Sequence, residues 1–207
     1  MKSSLFNKRG ETLIEVLLAI IILLVGVTSA IKLFNFINTQ RQVTAERIIA
    51  TNLAREGLEA VRNIRDTNWL RFAGEIRKCW NLKNPQNCND VNKIQNNQSY
   101  RLNFDQHYRF FLEEISSRLN FQDNIADELY RLKFNSSQLY NHTTGENSAF
   151  FREIYTEYLT AAQEKVSGTA TNILRVTSRV VWKDRGQTND VILTTILTDH
   201  LNRRNHD

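Results

Sequence analysis

From Leu13 to Ile31 the chain carries a single charged side chain, Glu15, and no proline. Leu, Ile, Val and Ala fill most of the other positions. A helix needs ~20 such residues to cross a bilayer, and only a helix satisfies all of its own backbone polar groups there. Lys2, Lys8 and Arg9 precede the run, and Lys32 ends it. Positive charge before a membrane segment predicts that the start stays in the cytoplasm and the remainder faces outward. The net charge of +5 fits this reading, because without the first ten residues 24 basic side chains face 22 acidic ones. The basic balance therefore argues for orientation at a membrane and only weakly for nucleic acid.

Three kinds of segment begin this way. A secretory signal peptide is cut after its apolar run at a small-x-small site, of which Thr28-Ser29-Ala30 is a poor version. A signal anchor is not cut at all. Neither accounts for Glu15, since a carboxylate in a membrane helix is costly and calls for a partner. Cleavage between Gly10 and Glu11 supplies one, because it creates an α-amine four residues before Glu15. Helices stacked side by side then set this carboxylate against a neighbour's N-terminal ammonium. The helix dipole also favours an acid in the first turn.

The stretch Lys8-Arg9-Gly10-Glu11-Thr12-Leu13-Ile14-Glu15-Val16-Leu17-Leu18-Ala19 resembles the cleavage and methylation site of type IV prepilins and pseudopilins. The resemblance implies that a prepilin peptidase cuts after Gly10 and methylates the new N-terminal amine on Glu11. It implies that Glu15 guides assembly, with other pilin or pseudopilin subunits and a membrane assembly platform as partners. Two departures stand out. Glu11 occupies a position where phenylalanine or methionine is usual, which bears on methylation more than on cleavage. The helix-kinking proline of many major pilins is absent from Ser29-Ala30-Ile31-Lys32-Leu33, although Gly26 loosens the helix nearby.

The helical pattern continues past Lys32. Ala45, Ile49, Leu53, Gly57 and Val61 recur every four residues, with Ile48, Ala60 and Ile64 beside them and charged residues between. This predicts an amphipathic second half. A helix from Thr12 to about Arg65 is roughly 80 Å long at ~1.5 Å per residue. Residues 50–66 also resemble a segment of the minor pilins called pilus modification proteins. The expected organisation is a leader at 1–10, a transmembrane or filament-core half-helix at 11–32, an amphipathic half at 33–66, and an outward-facing head at 67–207.

In the head, Ser99–Phe104 and His107–Leu112 read as short strands. Residues 115–119 and 124–132 fit short helices or irregular strands equally well, and 135–147 reads as a surface loop. Phe150–Leu159, Leu174–Lys183 and Val191–Thr198 alternate apolar with polar residues, and a turn at 184–189 joins the last two into a hairpin. The expected fold class is α+β: a long N-terminal helix, membrane-spanning in its first half, packed on an antiparallel sheet. Cys79 and Cys88 flank Pro85, the only proline. Export makes a disulfide the simple reading. Two buried thiols are the alternative, and the scattered histidines offer no zinc set.

No phosphate loop, zinc-protease spacing or nucleophile elbow occurs, so the expectation is a structural subunit without catalysis or cofactor. Glu113-Glu114 reads as surface charge, and the aromatics Phe110, Phe111, Phe150, Phe151, Tyr155 and Tyr158 as sheet core. A rival class is a filament-tip binding module. For it, Arg175, Arg179, Lys183 and Arg185 would meet DNA phosphates, or the head would meet a cell surface. A second rival is a single-pass anchored protein unrelated to pili, for which Glu15→Leu is harmless.

Overall fold

The computed structural model describes residues 8–105, 107, 109–121, 125–135, 139–159 and 173–199, excluding the side chains of 8–12, 77, 125 and 126. The chain divides into two units between Glu46 and Arg47. Helix α1 spans Lys8–Arg71 and contains no proline.

In the second unit, α1 buries Ala50, Leu53, Ala54, Gly57, Leu58, Val61 and Ile64, at the three- and four-residue steps of one helix face. The expected stripe began too early: Ala45, Ile48 and Ile49 are exposed. The expected end at Arg65 is also corrected. The helix continues for six residues and buries Asn68 and Trp69. Asn68 explains the extension, since its Nδ2 donates to the carbonyls of Trp80 at 3.2 Å and Leu82 at 3.1 Å.

Seven strands are described: β1 Gln98–Phe104, β2 Phe110–Ile115, β3 Arg131–Phe134, β4 Tyr140–Asn141, β5 Glu146–Leu159, β6 Ile173–Asp184 and β7 Gln187–Thr198. They form one antiparallel sheet in the order β2-β1-β5-β3-β4, with β6 on β5 and β7 on β6. The antiparallel sheet expected behind the helix is present, with β3 and β4 beyond the five strands read from the sequence. β2 lies three residues later than expected, in register with β1 from Ser99↔Ile115 to Phe104↔Phe110. Residues 124–132 divide between the short helix α3, Ile125–Glu128, and the start of β3. The segment 135–147 holds β4 and the start of β5 rather than a loop throughout.

Both sheet faces carry a buried cluster. On one, the α1 stripe packs on Tyr100, Leu102, Ile154, Val176, Val180 and Leu197. On the other, Ile115, Leu119 and Tyr130 pack on Phe151 and Val181. Phe150 and Phe151 are thus both buried, on opposite faces. Helix and sheet meet closely at Gly57, where an added Cβ would stand 2.5 Å from Ser178 Oγ and 2.8 Å from Ile154 Cδ1.

Candidate functional site

From Leu13 to Ile37 every large apolar side chain of α1 is exposed. Each Leu or Ile gains about 1.5–3 kcal/mol on leaving water. This surface is therefore built for lipid or for other helices. It is long and apolar enough to cross a membrane. Its hydroxyls are already satisfied within the helix. Thr28 Oγ1 donates to the Leu24 carbonyl at 2.8 Å, and Ser29 Oγ donates to the Val25 carbonyl at 2.7 Å.

Glu15 interrupts this surface. Ile14, Leu18 and Ile22 form a ridge beside it, and the small Ala19 opens a shallow groove next to the carboxylate. Among the described residues Glu15 has no hydrogen-bond or ion-pair partner. Gly10 and Glu11 lie in the same helix, one turn before it. Residues 5–31 match the family described as the prokaryotic N-terminal methylation motif. The chain carries the type IV prepilin signature. That motif indicates a pilin-like precursor, and it implies processing by a prepilin peptidase and assembly with other pilin subunits. No curated protein and no solved structure matches the chain.

The rest of this prepilin-like chain is a head without an assembled catalytic centre among its described residues. Cys79 and Cys88 stand as a disulfide pair with Cα atoms 5.4 Å apart. α2, Ile76–Cys79, and a 3₁₀ turn at Asp90–Asn92 flank the loop they close. Asn92 Nδ2 bridges its interior, donating to the carbonyls of Asn84 at 2.6 Å and Asn87 at 2.7 Å.

The basic hairpin that the rival reading would set against DNA is internally engaged among the described residues. Arg175 meets Glu157 at 3.1 Å, Arg179 meets Asp190 at 3.2 Å, and Arg185 lies 3.7 Å from Asp184. Lys183 sits over the Phe121 ring. Glu113 and Glu114 point to opposite faces of β2, where Arg101 holds the first at 2.7 Å and Lys83 the second at 3.1 Å.

Several structural side chains had no sequence signal. Arg152 is buried and donates to the Leu53 carbonyl at 3.2 Å and to Glu56 at 3.1 Å, fastening β5 to α1. Its neighbour Glu153 is buried on the opposite face, where it accepts from Ser99 Oγ at 2.6 Å and the Leu119 N–H at 3.2 Å. His142 Nδ1 lies 3.2 Å from the Arg131 carbonyl. Burial holds its imidazole well below the usual range, helped by the charges of Arg152 and Arg101. Burial also pushes the Tyr100 phenol up to about 12. An alternating pattern marks a face for burial but does not say that a charge within it has a partner from another element.

Proposed function

We propose that this chain is a minor pilin or pseudopilin: a structural subunit of a type IV pilus-like filament, stored in the cytoplasmic membrane with its head outward. The leader is residues 1–10, cut after Gly10, and Glu11 becomes the methylated N-terminus. Residues 11–32 form the membrane and filament-core half of the helix, the rest of α1 to Arg71 its amphipathic half, and 72–207 the remainder of the head.

The observation that carries this reading is the unpartnered Glu15 on an otherwise apolar, exposed helix, four residues after Glu11. An isolated carboxylate in lipid is unfavourable, and a neighbour's new α-ammonium relieves it only in the assembled filament. The disulfide at Cys79–Cys88 supports an exported head.

The test is Glu15→Gln in cells that hold the remaining pilus machinery. The account expects normal leader removal, normal membrane levels and about a tenfold or larger loss from sheared filaments, the equivalent of ~1.4 kcal/mol or more per subunit. Incorporation equal to wild type contradicts it.

A further inference from the structure

β7 ends one side of the sheet, and its outer edge is bare among the described residues. β6 pairs with it without a bulge from Ile173↔Thr198 to Asp184↔Gln187. The connecting turn has two residues, Arg185 and Gly186, with φ of 50° and 79°. This is the type I′ hairpin, in which Asp184 and Gln187 form a hydrogen-bonded pair and the pairs then alternate. The N–H and C=O groups of Thr188, Asp190, Ile192, Thr194, Ile196 and Thr198 therefore point away from β6.

Elsewhere the sheet protects its edges. On β2, the Leu112 N–H donates to the Lys83 carbonyl at 2.9 Å, so a loop covers that side. β4 is only two residues long. β7 has twelve residues, of which seven are Thr, Val or Ile, and it contains no Lys, Arg or Pro. Its one acid, Asp190, is occupied by Arg179. A long, regular edge whose one charge is paired is a template for another strand.

The side chains add direction. Ile192 and Ile196 are 56% and 40% exposed on the face away from α1. On the α1 face, Thr195 Oγ1 accepts from Arg62 at 2.7 Å, and Arg62 also holds Glu59.

We propose that the β7 edge accepts an extended strand from a neighbouring pilin-like subunit, which rests on the filament reading above. That strand places aliphatic or β-branched side chains beside Ile192 and Ile196, and polar ones beside Arg62 and Glu59. The chain's own last eight residues are a poor occupant by composition. They hold one aliphatic side chain, Leu201, and no glycine or proline for the immediate reversal needed.

The experiment compares amide exchange along β7 in the full chain from three sources: filaments, isolated membranes and detergent-purified protein. Thr194→Pro is taken through the same cells, because it removes an outward N–H that β6 does not use. The expected result is outward-amide exchange slowed about a hundredfold or more in filaments relative to detergent. Thr194→Pro should form its disulfide and lose its leader normally, yet fall about tenfold in filaments; Ile192→Lys should behave likewise. Fast exchange in filaments, equal protection in detergent, or wild-type incorporation of Thr194→Pro overturns the proposal. A chain that keeps its leader and stays out of filaments sinks the filament reading instead. Exchange in membranes against detergent then decides the edge: protection in membranes alone supports it, and equal exchange overturns it.

Discussion

Gly57 and His142 show how single residues set the limits of this fold. Gly57 lets α1 approach the sheet until Ser178 and Ile154 occupy the space of a side chain. Gly57→Leu overpacks that contact and is expected to destabilise the head by about 1–3 kcal/mol or more. The thermal midpoint of the full-length protein in detergent measures this. His142 gives a pH dependence. Its folded pKa is depressed, so below the ordinary value of 6.5 the unfolded chain binds the extra proton first. Stability is fully present above about pH 6.5 and declines as pH falls toward the lower folded value. The melting midpoint should therefore fall between pH 7 and pH 5, and His142→Gln should flatten that dependence. Nothing in the sequence around Asn141-His142-Thr143 distinguished this buried imidazole from a loop residue, because the Arg152 and Arg101 charges that act on it come from other strands.

At the level of elements, legibility followed local pattern. α1, β1, β5, β6 and β7 each carry their own periodicity, and their existence was readable from it. β3 and β4 were not readable. They are short, and β3 reaches β5 through a register shift between Arg131 and Lys133, so their strand character comes from pairing rather than from alternation. The end of α1 was missed for a related reason: Asn68 is a poor helix former whose place is set by the Trp80 and Leu82 carbonyls. The disulfide loop joins this end of α1 to the sheet through the Lys83 contact to β2, and the Leu82↔Lys93 bridge ties it to the segment that leads into β1. Closing so short a loop is worth about 2–3 kcal/mol by chain entropy. Replacing both Cys79 and Cys88 by Ser should lower stability by that amount. It should also raise proteolysis within residues 80–97 before the rest of the head is cut.

For the whole molecule, division of labour follows from solvent. The first unit exposes apolar side chains from Leu13 to Ile37 and, among the described residues, leaves the Glu15 carboxylate without a partner. The second buries its core on both faces of the sheet and pairs many of its charged residues, among them Arg152 with Glu56 and Arg175 with Glu157. A subunit built this way acts, in the reading proposed above, by where its helix goes. That outcome depends on the cut after Gly10, because only then does Glu15 gain an α-ammonium of its own kind to meet. Intact mass and N-terminal sequencing of the chain, from cells with and without a prepilin peptidase, read this directly. The account predicts a chain beginning at Glu11, one methyl group heavier, in the first cells and an uncut chain in the second. A chain that begins at Met1 in both, or one cut after Ala30, would contradict it.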